Sequence, residues 1–226
     1  GDFFFFLVEP TQHDFSEGGT TGPYLYLPLG VGEQAIIVFQ WDDQFSASGN
    51  DYDLYLYNLG TESVVASSEN FQTGSGDPLE YIVYSRPVGG PSSYDYAIIV
   101  NQYSGSPVNL EVFIYAPDNY SNNIKAQDAI FGHPAVDDVV SVGAVRYNTP
   151  STIEFFSSQG PSTIVFPSAE SRQTPKIVGV DGGVITGAGG FGSFDGTNYR
   201  FYGTSAAAPH VAAILAQAWS FDLIRT

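Results

Sequence analysis

The sequence contains no cysteine, so it can form neither a disulfide nor a thiolate metal site. Basic residues are scarce as well: seven Lys and Arg stand against 24 Asp and Glu, and the formal net charge is −17. This excess of negative charge disfavours nucleic acid and anionic membranes as partners, because like charges repel. Methionine is also absent, so we expect the chain to be a processed piece or a segment of a longer protein.

Long apolar runs are missing too. No stretch reaches the roughly 18 apolar residues that a membrane-spanning helix needs, so we expect no membrane span. The run Phe3–Val8 is apolar but short. It lacks the basic lead and the small-residue cleavage site of a signal peptide, and we expect a buried strand there.

The negative charge is unevenly distributed along the chain. Residues 1–118 hold 16 acids and one base, a net charge of −15, whereas residues 119–226 hold eight acids and six bases, a net charge of −2. This difference predicts two domains, 1–118 and 119–226, with a strongly acidic first domain.

Residues 1–118 have the pattern of an all-β domain. Gln34–Trp41 is rich in β-formers, and Tyr52, Leu54 and Leu56 alternate with other residues on one face of a strand. Val108, Leu110, Val112 and Ile114 alternate in the same way. Short strands separated by Gly, Pro, Ser and Asn turns predict an antiparallel β-sandwich.

Residues 119–226 have the pattern of an α/β domain. Val139–Val145 is a continuous apolar run typical of a buried parallel strand. Ile177–Val180 is predicted to be another short strand, and Gly182–Gly196 a glycine-rich loop. Ser205–Trp219 is the one clear helix, because Ala208, Val211, Ala212, Leu215 and Trp219 recur at helical spacing. Pro209 is expected in or next to the first turn, where its missing N–H is tolerated.

The start of that helix has the features of a nucleophile site. Ser205 follows a Gly-Thr pair and precedes a run of small residues, so its hydroxyl stands at the end of an element. The backbone N–H beside it and the positive end of the helix favour a developing oxyanion. A tightly packed helix start without catalytic ancestry is the alternative interpretation.

The segment Gly203-Thr204-Ser205-Ala206-Ala207-Ala208-Pro209-His210-Val211-Ala212 resembles the nucleophile motif of the subtilisin-like serine proteases, the subtilases, at every fixed position. Four other segments resemble subtilase elements in the family's order: Gly132–Ala135, Val139–Val145, Phe156–Pro161 and Pro175–Val178. The resemblance implies a partial subtilase domain of α/β class, with a parallel sheet and the nucleophile helix.

The acidic half resembles the pre-peptidase C-terminal domains, which are sandwich modules of secreted proteases. The matching segments are Gln40–Asp43, Asn50–Tyr57 and Val65–Ser68. Together with the order of the subtilase elements, this resemblance implies an all-β antiparallel sandwich inserted into a subtilase domain, between the oxyanion-hole strand and the substrate-pocket segment.

The subtilase resemblance also implies roles for individual residues. Ser205 is the expected nucleophile, and its own N–H supplies half of the oxyanion hole. Gly203, Thr204, Pro209 and His210 are motif residues that shape the helix start. His133 and Pro134 belong to the element that forms the rim of the substrate pocket.

Other parts of a subtilase site are missing from the sequence. The motifs Asp-Ser/Thr-Gly and His-Gly-Thr, which carry the triad Asp and His, do not occur, and the only Gly-Asn pair, Gly49-Asn50, lies in a sandwich turn. His210 follows Ser205 by five helical residues, so the two side chains point apart. We therefore expect the Asp, His and oxyanion Asn upstream of Gly1 or on another chain, and almost no activity from this chain alone.

Two metal interpretations follow from the acidic residues. Asp42, Asp43, Asp51 and Asp53 could converge and bind calcium, or they could form a solvated acidic edge that discourages strand pairing. Asp181, at the head of the glycine-rich loop, is expected to be structural. Acyl-enzyme chemistry at a serine requires no cofactor.

Two functions remain open at this point. The first is a secreted subtilisin-like endopeptidase that acts on proteins or peptides, of which this chain is the C-terminal part. The second is a non-catalytic extracellular protein, adhesive or filament-forming, whose acidic sandwich is the working part.

Overall fold

The computed structural model describes residues 24–89, 93–117 and 126–221. The chain divides into two compact units, residues 1–124 and residues 125–226. The run Phe3–Val8, His13 and the predicted domain boundary at 118/119 lie outside the described residues, so the boundary stays a prediction.

The described residues form fifteen strands and one α-helix. In chain order they are β1 (Leu25–Gly30), β2 (Gln34–Trp41), β3 (Asp51–Asn58), β4 (Ser63–Ser68), β5 (Leu79–Ser85), β6 (Ser93–Ser104), β7 (Leu110–Tyr115), β8 (Val142–Arg146), β9 (Thr149–Ile153), β10 (Ser162–Ile164), β11 (Glu170–Arg172), β12 (Ile177–Asp181), β13 (Gly183–Ile185), β14 (Ser193–Phe194), β15 (Tyr199–Phe201) and α1 (Thr204–Ser220). Short 3₁₀ turns lie at His133–Ala135 and Ala188–Gly190.

The first unit consists of two antiparallel sheets, with strand orders β1-β6-β3-β4 and β5-β2-β7. Alternate residues of both sheets are buried in one shared core, which is the arrangement that period-2 alternation produces. Three rings form its aromatic centre: the Trp41 ring centroid lies 5.3 Å from that of Phe39 and 5.2 Å from that of Tyr52.

The strand predictions for this unit are confirmed where the alternation is clear. Gln34–Trp41 is strand β2, and Tyr52, Leu54 and Leu56 all lie in the core. The second alternating set, from Val108 to Ile114, packs against the same core.

The second unit contains three small sheets. Their strand orders are β10-β11, β12-β8-β9 and β13-β15-β14. The segment predicted as a glycine-rich loop therefore contributes β13 and β14 to an antiparallel sheet with β15. Strands of two or three residues are too short to show a hydrophobic period, which is why the sequence pattern gave a loop.

Helix α1 packs against β12 and β8, and a glycine controls how closely it approaches. A Cβ on Gly179, in the middle of β12, would lie 2.7 Å from the Ala207 carbonyl oxygen and 2.9 Å from Val211 Cγ2. Only hydrogen at this position lets the helix backbone lie directly on the strand.

The predicted helix is confirmed, but only Val211 and Leu215 of the predicted apolar stripe face the interior. Ala207 and Val211 are buried and Leu215 is half-buried, whereas Ala208 and Trp219 are exposed. Pro209 is the sixth helical residue and lies in the second turn, next to the first, as expected. Among the described residues, no helix is long and apolar enough to cross a membrane.

The predicted fold class is wrong. We expected an α/β subtilase-like partial domain with a parallel sheet and the nucleophile helix, beside an antiparallel sandwich. The described residues are instead mostly strands in several small sheets with one α-helix, and β8 and β12 are the single parallel pair among them. A larger parallel sheet requires helical crossovers, but the chain between β8 and β12 makes short antiparallel pairs.

We predict that Gly179→Ala lowers the free energy of unfolding by about 1–3 kcal/mol, because the added methyl group overpacks the contact between strand and helix. Denaturant titration, followed by the helical circular dichroism of α1, measures the change. Gly49→Ala is the matched control, since its Cβ would meet no atom within 4 Å; we expect a change within about 0.5 kcal/mol. An unaltered transition in Gly179→Ala would contradict the close packing.

Candidate functional site

Ser205 is the second residue of α1, and its side chain is exposed. The helix begins after Gly203, whose φ of 109° and ψ of 165° suit glycine and strain other residues. The Gly203 carbonyl accepts hydrogen bonds from the N–H groups of Ala206 and Ala207, at 2.9 and 3.2 Å. The sharp glycine turn therefore places Ser205 on the first, exposed turn of the helix.

The backbone around Ser205 can stabilise negative charge. As the second helical residue, Ser205 has an N–H without an intrahelical carbonyl partner. The helix dipole adds a partial positive charge at the same end, and no acidic residue lies in the first turn. An oxyanion that forms beside Ser205 would thus meet a donor and a favourable field.

Pro209 removes one backbone hydrogen bond from the first turn of α1. It is four residues beyond Ser205 and has no N–H, so the Ser205 carbonyl lacks its usual helical donor. The missing hydrogen bond leaves the Ser205 backbone less constrained from within the helix, and contacts from neighbouring elements matter more.

Neither His133 nor His210 forms a hydrogen bond with Ser205 in the described structure. His210 is exposed, and its Nδ1 lies 3.0 Å from the Val180 carbonyl oxygen. Five residues of helix separate it from Ser205, which turns the two side chains to different faces. His133 and Pro134 are exposed in a 3₁₀ turn whose only buried residue is Ala135.

Asp181 is the polar residue that the structure brings to the serine segment. It is the last residue of β12 and is completely buried. Its Oδ2 accepts a 3.0 Å hydrogen bond from the Gly203 N–H, while its Oδ1 has no partner among the described residues. The sequence predicted a structural Asp181, but Gly203 lies 22 positions further along the chain, and no sequence pattern indicates this contact.

Further hydrogen bonds connect the two ends of the glycine-rich segment next to Asp181. The Gly182 N–H donates to the Phe201 carbonyl at 2.9 Å, and Arg200 Nη1 donates to the Gly182 carbonyl at 2.9 Å. The Arg200 guanidinium also lies 3.9 Å from the centre of the Tyr147 ring. These contacts join the end of β12 to the residues that lead into Gly203.

Arg200 is held in place by Asp195. Hydrogen bonds from the Asn198 N–H and from Arg200 lower the pKa of Asp195 to about 2. The carboxylate therefore stays ionised well below neutral pH, and the Arg200 contact persists with it.

The four aspartates that suggested calcium have different surroundings. Asp42 accepts a hydrogen bond from Asn109. Asp43 accepts several from the turn at residues 48–50; partial burial raises its pKa, but these hydrogen bonds outweigh that effect and the net pKa is lowered. Asp53 accepts from Asn101 and Tyr55 at 3.2 and 3.3 Å.

Asp51 differs from the other three because it is buried and unsatisfied. It is 1% exposed, and neither carboxylate oxygen has a hydrogen-bond partner among the described residues. Glu80, buried equally deeply, accepts hydrogen bonds from Ser68, Asn70 and Gln72. Burial, followed by the charges of Asp53 and Glu80, raises the pKa of Asp51.

No group of three or more His, Asp or Glu side chains in the described part of the chain is arranged to hold a metal ion. A calcium ion at Asp51 would thus need ligands of other kinds. The calcium interpretation stays a prediction that an experiment can decide.

We predict that Asp51→Asn raises the thermal midpoint at neutral pH by a few degrees, the shift expected for about 1 kcal/mol. The folded pKa is raised, so the wild-type folded state binds the proton more tightly than the unfolded state. Stability is then lost as pH rises above the ordinary value of 3.8, and the advantage of the variant should vanish below that pH. Melting curves across the pH range measure it.

Asp42→Asn is the matched control and should leave the midpoint nearly unchanged. Melting in millimolar calcium and in chelator forms the second arm. Stabilisation of wild type by calcium that is lost in Asp51→Asn would support a calcium site and contradict the prediction of a bare buried carboxylate.

Comparison with known proteins shows that the family resemblance covers most of the chain and not only the segment around Ser205. The model of the subtilase family, peptidase family S8, matches residues 46–223, which include β3 to β15 and the whole of α1. No curated protein matches the chain. Because the family match spans more than three quarters of the sequence and includes the exposed serine at the helix start, the chain belongs to the subtilase family of serine peptidases.

Proposed function

We propose that the chain is part of a secreted serine endopeptidase in which Ser205 is the nucleophile. The observation that carries the proposal is the exposed Ser205 on the first turn of α1, within a sequence that has every fixed position of the family's nucleophile motif. Ser205 Oγ attacks the scissile carbonyl of a protein or peptide and forms an acyl-enzyme, which water then hydrolyses.

The oxyanion hole is proposed to consist of the Ser205 N–H and an Asn side chain. The helix start supplies the first donor, as its N–H has no intrahelical acceptor. Asn50, in the one Gly-Asn pair of the sequence, is already bound within the first unit. Its side-chain Nδ2 donates to Asp43 at 2.8 Å, and its Oδ1 accepts from the Ser106 N–H at 2.6 Å. We therefore assign the second donor to an Asn outside residues 1–226.

The general base and its orienting Asp are proposed to lie on the same precursor, upstream of Gly1, or on a second chain. The position of His210, five helical residues from Ser205 with its Nδ1 at the Val180 carbonyl, supports this assignment. During acylation the base takes the Ser205 proton and then transfers it to the leaving amine. Without the base, the hydroxyl is a weak nucleophile.

The acidic first unit is proposed to be a pre-peptidase C-terminal-like sandwich inserted into the peptidase domain. Two observations support the insertion: residues 24–117 form two antiparallel sheets around their own core, and the family match begins inside this unit and continues through the second. The exposed turn at His133 and Pro134 is proposed to form part of the rim of the substrate pocket.

Secretion, and chemistry that needs no cofactor, belong to the same proposal. The strong negative charge supports an extracellular role, since it maintains solubility. Acyl transfer at a serine uses only protein groups.

We predict that a fluorophosphonate labels Ser205 in the complete protein and that Ser205→Ala abolishes labelling. In the reaction Ser205 Oγ forms a bond to phosphorus, fluoride leaves, and the base takes the proton. Intact-mass and peptide mass spectrometry detect the adduct. Hydrolysis of peptides by Ser205→Ala should fall by at least about 10³-fold, as for other losses of a triad member.

Ser220→Ala is the matched control, because Ser220 is an exposed serine at the other end of the same helix, where its Oγ donates to the Gln217 carbonyl. Its labelling should equal that of wild type. A complete, folded protein that takes up no label would contradict the proposal and favour the non-catalytic, adhesive or filament-forming alternative.

A further inference from the structure

We propose that Asp181 is a positioning residue for Ser205, acting through the backbone of Gly203. The inference rests on the proposed function of Ser205 and adds a residue to the site. Its basis is one contact: the buried carboxylate at the end of β12 accepts the Gly203 N–H at 3.0 Å.

Gly203 is held from both sides by this contact and the helix. Its N–H is bound by Asp181, and its carbonyl accepts the N–H groups of Ala206 and Ala207. The peptide units on either side of a φ of 109° are thereby fixed. Because Ser205 follows after a single residue, the direction of its Cα–Cβ bond depends on this anchored turn.

The strand that carries Asp181 also supports the body of the helix. Gly179 lies two residues earlier on β12 and allows contact with Ala207 and Val211. Strand β12 thus fixes α1 at two places: by packing at its second turn and by a hydrogen bond at its start. With Pro209 removing the Ser205 carbonyl's helical donor, the bond to Asp181 is the external constraint on the turn.

The Asp181 carboxylate is also unusual in its burial and in its unsatisfied oxygen. One oxygen is unpartnered in the described structure, and the side chain is completely buried. A buried carboxylate with a single hydrogen bond is costly to stability. Its negative charge is favourable next to the helix start but opposes an oxyanion there, so we assign its contribution to geometry rather than to transition-state charge.

This assignment predicts different results for two substitutions. Asp181→Asn keeps an acceptor oxygen, so the turn and the labelling rate should be retained within about threefold, a difference below 1 kcal/mol. Asp181→Ala removes the acceptor, and the rate of the covalent step should fall on the order of 10²-fold, the effect of a small misplacement of a reacting group.

The experiment uses the complete protein and separates binding of the fluorophosphonate from the covalent step. Wild type, Asp181→Ala and Asp181→Asn are compared with Glu154→Gln, which alters another nearly buried carboxylate of the same unit. We expect Asp181→Ala to lower the covalent rate constant at unchanged probe affinity, with rescue in Asp181→Asn and no effect in Glu154→Gln. A loss in Asp181→Asn as large as in Asp181→Ala would overturn the proposal, as would an unaltered rate in Asp181→Ala.

Hydrogen exchange at the Gly203 amide supplies a readout that does not require activity. We expect slow exchange in wild type and in Asp181→Asn, and fast exchange in Asp181→Ala. Fast exchange in wild type would overturn the proposal even if Asp181→Ala does not fold. If wild type is not labelled at all, the nucleophile assignment fails, whereas protection of Gly203 still reports whether the tether exists.

Discussion

The contact between strand β12 and helix α1 is the constraint on which the candidate site depends. Gly179 has no side chain, so the helix backbone lies against the strand. Two residues later, Asp181 bonds to the residue that starts the helix. A helix of small residues held this closely has little freedom to slide or rotate, and Ser205 is presented on its first turn with a fixed direction.

Two buried carboxylates of the first unit, Glu80 and Asp51, have contrasting surroundings. Glu80 accepts hydrogen bonds from Ser68 at the end of β4 and from Asn70 and Gln72 after it. Asp51 lies near the negative charges of Asp53 and Glu80, which the Gln72 backbone N–H offsets only in part, and its carboxylate makes no hydrogen bond of normal geometry within the described structure. The same residue chemistry therefore strengthens one part of the unit and weakens another. Only the partners distinguish them, since both side chains are almost completely buried.

Sequence patterns predicted the features that repeat over several residues. The β-rich composition of residues 34–41 identified β2, alternation identified the buried face of β3, and apolar residues at helical spacing identified α1. The fold class was wrong because the strands between residues 147 and 201 are five residues or fewer and pair by proximity rather than by period. The position of Ser205 at a helix start followed from its motif, but the bond between Asp181 and Gly203 depends on tertiary packing that no local pattern encodes.

The closure at Gly182 and Phe201 has a consequence for how the molecule can vary. The chain leaves the end of β12, forms the small sheet of β13, β14 and β15, and returns to the point where it left. The distance between Asp181 and Gly203 is therefore set by the hydrogen bonds at Gly182 and Phe201, and not by the number of residues between β13 and β14. Insertions or deletions between β13 and β14 can accumulate during evolution, or be introduced as epitope tags, without displacing the serine.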